Sequence, residues 1–420
     1  MKDRPCNIQN TYIQLERGLG GVLYEPVPVK ERIGTGILLM HSDDDYYGFL
    51  PGPELAKRGF TVLASKVRKS CEPLDEKLLD VKLAMEYLRG LPYLHNVVLL
   101  GHSGGATLMS AYQNVAENGV KIFQDENKII PLSDIGTLPK ADALMLLDSN
   151  WGNGVMTLLS LEPDISNEVS SRNLDAKFDL FAVENGYSPD GASYSQAFIR
   201  DYQKAQEARN NRLIEEALSR LKALEQGEGR FDDDEPFIIV GGAQYAPNNK
   251  MFPQDIRLLS HTQQEWQLMH ADKTVTTQVI RSLRRPQFSH NTVSNYQMAT
   301  NVSTVRTYLT NCTVRTKDFY YDDSRIYGID WQSSYCCTPG NVIGISAPLL
   351  IMGMTGSYEF LAAEQIYENA SSTDKSMMFI EGGSHNFVPQ EDAEEYKGQF
   401  GDTVKNCFDF VEKWLCEDRF

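Results

Sequence analysis

The sequence predicts an α/β protein in which a mostly parallel sheet, covered by helices, is interrupted by one long insertion. Three observations carry that expectation. Residues 1–150 alternate short apolar runs with helical patterns, as strands joined by crossover helices do. From Trp151 to about Ser346 the texture changes to one long helical stretch, a Gly- and Asp-rich break at 227–234 and mixed short segments. After Ser346 the strand-and-helix rhythm returns.

Taken in order, strands are expected at 12–16, 21–24, 36–40, 61–64, 96–100 and 143–147. The last four are near-continuous β-branched and Leu-rich runs, the pattern of strands buried on both faces. At 75–89, Leu78, Leu79, Val81, Ala84, Met85 and Leu88 fall near a 3.6-residue period, which predicts an amphipathic crossover helix. Residues 192–226 contain neither proline nor glycine. A helix of that length spans roughly 50 Å, more than one small core needs, so it is expected to break in two or to project outward. A packed cap helix with a solvated face is the preferred reading over a dimerisation arm. The chain closes with a strand at 348–352, a helix at 362–370, a strand at 376–380 and a helix at 403–416. The division is therefore a first core part at 1–150, an inserted cap at 151–346 and a second core part at 347–420.

Composition narrows the function classes. With 41% apolar and 23% charged residues, the 420-residue chain has ordinary globular usage, which excludes collagen-like and wholly disordered readings. Forty basic against 57 acidic side chains give a net charge of −17, which opposes attraction to phosphate backbones and anionic lipid. No nucleic-acid or membrane partner is expected. There is no run of about 18 apolar residues, and the first ten residues lack the apolar core of a secretory signal. A cytoplasmic location is expected. The seven cysteines, Cys6, Cys71, Cys312, Cys336, Cys337, Cys407 and Cys416, show neither a CxxC pair nor a Cys/His cluster. They are read as reduced thiols, and no metal site is assigned to them.

The sharpest local signal is Gly101-His102-Ser103-Gly104-Gly105, between an apolar run and a helical stretch. Serine in G-x-S-x-G at a strand-to-helix turn stands exposed above the sheet, because the glycines leave room for a strained backbone and close packing. A serine hydroxyl is a poor nucleophile at neutral pH and needs a base. His261, His270 and His290 lie in the irregular insertion, whereas His385 follows the strand at 376–380 in Gly382-Gly383-Ser384-His385-Asn386. Ser103 is taken as nucleophile and His385 as base.

These features resemble the α/β-hydrolase family. The resemblance covers 1–150 and 346–420 and rests on Gly101–Gly105, the strand-loop-helix at 41–58 and Gly383-Ser384-His385. It implies an eight-stranded, mostly parallel sheet with a large, mainly helical cap inserted after the sixth strand. It also implies the chain order nucleophile, acid, histidine. Where relatives often carry an Asp after the seventh strand, this chain has Ser357. Two acids remain open: Asp148, the first polar residue off the sixth strand, and Glu359, with Glu364 a distant third. For the oxyanion hole, the resemblance implies a backbone N–H from Gly104 and another from Ser42 or Asp43.

The run Asp43-Asp44-Asp45 is read as a mostly solvated loop, since three adjacent carboxylates repel one another. No D-x-D-x-D-G spacing accompanies it, so no calcium site is assigned. Substrate contacts are expected from His41, His102 and Trp151. Trp266, Tyr320, Tyr321, Trp331, Arg281, Arg284 and Arg285 are further cap candidates. The expected activity is hydrolysis of an ester or lactone of a small organic molecule through an acyl-enzyme, without a cofactor and with a possible homo-oligomer formed through the cap. Carbon–carbon or amide hydrolysis by the same residues, or a non-catalytic ligand-binding or scaffold role, are the rivals.

Overall fold

A computed structural model describes residues 6–165, 168, 175–188, 190–242, 250–286, 300–417 and 419. His290 lies outside them. Strands β1 (Asn7–Glu16) and β2 (Leu19–Val27) form an antiparallel hairpin. Then follow β3 (Thr35–Leu39), α1 (Pro51–Lys57), β4 (Thr61–Ser65), α2 (Leu74–Arg89), β5 (Asn96–Ser103), α3 (Gly105–Asn118) and β6 (Ala143–Ser149). The insertion supplies α4 (Asn153–Ser160), α5 (Gln196–Glu225), β7 (Pro236–Ile239), β8 (His261–Met269), β9 (Val275–Arg281), β10 (Asn301–Thr304), β11 (Thr316–Tyr321) and β12 (Ile326–Ile329). The chain returns through β13 (Leu349–Met354), a helix at Ala362–Asn369, β14 (Lys375–Ile380) and a last helix at Thr403–Leu415.

The main sheet runs β1-β2-β4-β3-β5-β6-β13-β14-β8-β9, parallel from β4 through to β8 and antiparallel at both ends. The apolar runs alternate between two buried layers, which is why they read as continuous. Leu38, Leu99, Leu144 and Ile351 meet α2 and α3 on one face. Ile37, Val98, Met145 and Leu350 meet α1 and the last helix on the other, through Leu55, Phe408, Val411 and Trp414. Each such side chain contributes about 1.5–3 kcal/mol by leaving water.

Three expectations need correction. The sheet has ten strands rather than eight, because β8 and β9 of the insertion continue it past β14, with Phe379 opposite Leu268. Neither carries a continuous apolar run, since β9 is largely exposed at the sheet edge and β8 is only partly buried, and so neither is read as a strand. For the same reason the insertion is mixed α/β and not mainly helical. Third, α5 is one unbroken helix that does not project: Ile199, Tyr202, Gln206, Leu213, Ile214, Ala217 and Leu221 are buried along one face. Side-chain amides on that face donate to neighbouring backbone, Gln203 to the Tyr321 carbonyl at 2.8 Å and Asn210 to that of Val314 at 2.9 Å.

Candidate active site

Ser103 ends β5 with φ +52°, in the left-handed region that non-glycine residues avoid. Such a conformation costs about 1–3 kcal/mol and persists only where the surroundings impose it. Here they do. A Cβ on Gly101 would come within 2.7 Å of the Ala106 Cα, and one on Gly105 within 2.5 Å of the Met40 carbonyl oxygen. The two glycines thus let α3 start directly against β5 and β3, and the serine between them is turned out into a cavity of about 850 Å³. His385 lines the same cavity.

His385 lies on the loop after β14, and its Nδ1 is 2.7 Å from Asp148 Oδ2. Asp148 follows the apolar run of β6, also with positive φ, +46°. Its Oδ1 accepts the Met354 N–H at 2.9 Å, so both carboxylate oxygens are fixed. Glu359 Oε2 lies 3.9 Å from the same imidazole nitrogen, beyond hydrogen-bond reach. Of the two acids left open by the sequence, Asp148 therefore holds the ring, which leaves Nε2 for proton transfer. Burial works against an imidazolium here, but the Glu359 charge and then the bond and charge of Asp148 outweigh it, and His385 is pushed up to about 9. Glu359 is itself raised, first by burial. Behind it, burial brings Lys250 down to about 7. Glu364 serves elsewhere: its carboxylate accepts the Gln263 and Gln264 N–H groups and the Trp266 indole, tying down β8.

His102 is buried and is among the residues lining the cavity, and both its ring nitrogens are bonded within the protein. Its Nε2 lies 2.7 Å from the His385 carbonyl oxygen and its Nδ1 2.7 Å from the Tyr46 hydroxyl. A carbonyl only accepts, so Nε2 carries the hydrogen; burial holds the ring neutral, so Nδ1 accepts from Tyr46. The residue before the serine thereby fastens the histidine loop to β5. His102, Asp148 and His385 bring ligand-type atoms within 4.8 Å of one another. Both His102 nitrogens and both Asp148 oxygens are already bonded, so the trio is a hydrogen-bond network and does not suit a cation.

The loop after β3 revises the second oxyanion donor. The Asp43 N–H and the Asp44 N–H both point at His41 Nδ1, each at 3.0 Å, which removes Asp43 as a donor to a substrate. Burial lowers the His41 pKa, in keeping with a bare Nδ1. Ser42 is fully buried, and its hydroxyl lies 2.9 Å from where a Gly104 Cβ would stand. The Asp43 carboxylate bonds Lys77 Nζ at 2.9 Å, and Lys77, on α2, is 0% exposed. All three residues of the Asp43-Asp44-Asp45 run are exposed, as expected, with Asp43 also tied to the buried ammonium. Lys77 was missed, although it shares the apolar stripe of Leu74, Leu78 and Val81 and so carried a signal.

Trp151 does not line the cavity. It is a core residue, packed edge-on to Phe252, and its indole donates to Gln365 Oε1 at 2.6 Å. The other cap candidates are also elsewhere. Arg284 is buried against the Leu258, Leu259 and Phe252 carbonyls, and Tyr320 and Tyr321 line a separate cavity between α5 and β11. Polar wall residues the sequence did not flag include Asn153, Thr300 and Asn386.

The parallel sheet, the strained serine between β5 and α3, and the histidine loop after β14 decide the architecture. The fold is the α/β-hydrolase fold. No protein-family model and no curated protein matches the chain. Solved α/β structures resemble it along its length: Est1E from Butyrivibrio proteoclasticus, at 12% identity and a TM-score of 0.40, covers 97% of this chain and 98% of its own. The α/β hydrolase GrgF from Penicillium sp. sh18 is 10% identical, with coverage of 98% and 99% and a TM-score of 0.42. DcsB, solved with its substrate analogue, is 11% identical, with the same coverage and a TM-score of 0.45.

Proposed function

We propose that this α/β-hydrolase-fold protein is a serine hydrolase that cleaves an ester or lactone of a small organic molecule. The observation that carries the reading is the strained Ser103, lining one cavity with an imidazole that a buried carboxylate holds at 2.7 Å. Ser103 Oγ attacks the carbonyl carbon while His385 Nε2 takes its proton, and Asp148 stabilises the imidazolium formed. The Gly104 and Ser42 amides bond the developing oxyanion. His385 returns the proton to the leaving alcohol as the acyl-enzyme forms. A water molecule, deprotonated by the same ring, then releases the acid.

A fluorophosphonate probe tests this directly. Intact protein should become labelled at Ser103, with labelling abolished in Ser103→Ala and slowed at least about a hundredfold in His385→Ala. Absence of labelling in folded protein would favour a ligand-binding role.

A further inference from the structure

We infer that the His41 imidazole is a further oxyanion-hole donor, its Nε2–H bonding the substrate's carbonyl oxygen beside the Gly104 amide as the tetrahedral intermediate forms. This rests on the hydrolase reading above and adds a catalytic residue to it.

The loop after β3 decides which ring nitrogen carries the hydrogen. The Asp43 and Asp44 N–H groups both point at Nδ1 at 3.0 Å, so that nitrogen accepts and bears no hydrogen. A neutral imidazole has a single N–H, which is then at Nε2. Burial lowers the His41 pKa against the pull of Asp43 and Asp44, and His385 adds to the lowering, so the ring stays neutral. It can donate without adding a positive charge that would oppose the imidazolium forming on His385.

The direction of Nε2 is an independent observation. It lies 3.0 Å from the point where a Gly104 Cβ would stand, beside the residue whose amide is the first donor. Two more polar atoms surround that point, Ser42 Oγ at 2.9 Å and Asn153 Oδ1 at 3.2 Å, and neither offers it a hydrogen. The Ser42 hydroxyl donates to Asp43 Oδ2 at 2.5 Å, and Asn153 turns its Nδ2 to Ser42 Oγ at 3.3 Å, which leaves its oxygen towards Gly104. His41 is part-exposed and lines the cavity with Ser103, Gly104 and His385. Among the described residues its Nε2 has no hydrogen-bond partner, and it is not one of the occluded polar atoms. The ring packs on Tyr46 at 4.9 Å between centroids, and the Tyr46 hydroxyl is itself bonded to His102. The donor is therefore fixed before a substrate arrives, as an effective oxyanion hole requires. His41 keeps its proton throughout, and only His385 transfers one.

The test compares full-length His41→Phe and His41→Gln with the parent. Both remove Nδ1, so any slackening of the loop is common to the two, but only Gln keeps an N–H at the ε position. In hydrolysis of 4-nitrophenyl acetate, His41→Phe should lose at least about a hundredfold in kcat with KM nearly unchanged, and His41→Gln should be at least about tenfold faster than His41→Phe. Rates of Ser103 labelling by the fluorophosphonate should fall in the same order, because its phosphoryl oxygen takes the place of the oxyanion. In the matching thionoester, sulfur is a poor acceptor, so the oxo-to-thiono ratio of kcat/KM should be at least about threefold smaller in His41→Phe than in the parent. The ratio is taken within each protein, so a general loss of activity cancels. Equal ratios in parent and His41→Phe, or equal rates in the two variants, overturn the inference. If His41→Phe does not fold, long-range nitrogen-15 spectra of the parent decide. His41 should show a protonated Nε2 and a bare Nδ1, and the Nε2–H should move downfield when the probe is attached to Ser103. A protonated Nδ1 or an unmoved Nε2–H overturns the assignment. If Ser103 is labelled yet these effects are absent, this inference alone falls. If neither labelling nor turnover occurs, the hydrolase reading falls and takes it along.

Discussion

Two carboxylates face one imidazole at His385, and their unequal distances set unequal roles. Asp148 is bonded to Nδ1 and fixes the ring, whereas Glu359 acts through space. Asp148→Asn should therefore lower kcat by about 10³–10⁴, and Glu359→Gln by much less, as steady-state kinetics on any turned-over ester would show. The pH dependence separates them further. In the proposed mechanism only the neutral ring accepts the Ser103 proton, so kcat/KM should rise with pH towards the His385 value of about 9. Glu359 is the largest influence raising that value. Replacing it with Gln should move the rising limb to lower pH, and an unmoved limb would contradict the assignment. Stability runs the other way. The raised imidazole stabilises the fold fully below its ordinary 6.5, and that contribution is lost as pH climbs through about 9.

At the scale of elements, α2 and the loop after β3 are joined by an ion pair with one buried and one exposed partner. Lys77 is 0% exposed but Asp43 is 44% exposed, so the loss on breaking it should fall below the 3–5 kcal/mol of a fully buried pair. Asp43→Asn strands the ammonium and should cost about 2–3 kcal/mol in denaturant unfolding. Adding Lys77→Met should recover part of that, because it removes the stranded charge. Legibility follows the same physics. The central strands and α2 were readable because burial on one or two faces imposes a period. The serine turn was readable because glycine is required there for steric reasons. The choice between Asp148 and Glu359 was not, since it depends on how β6 and β13 end side by side. Nor was the loss of Asp43 as a donor, which follows from His41 turning its Nδ1 onto the loop.

At the scale of the whole molecule, the insertion is stitched into the core by its own strands. Glu364, buried on the helix after β13, accepts two backbone N–H groups of β8 and the Trp266 indole. Glu364→Ala leaves those donors without partners, so hydrogen exchange in β8 and β9 should quicken relative to β5 and β6. Equal exchange in mutant and parent would show that the edge hairpin is held by β14 alone. The sequence concealed this join because β9 is an exposed edge strand and β8 beside it is only half-buried, so their polar residues mimic a loop.

Ser103 and Asp148 both sit in a backbone conformation that they would leave if the chain around them slackened. The sheet ends act as a clamp on a wound spring, and warming that loosens the clamp lets both residues relax. If Ser103 and Asp148 act as proposed, heat inactivation should precede melting, as the two drift out of line inside a protein that is still folded.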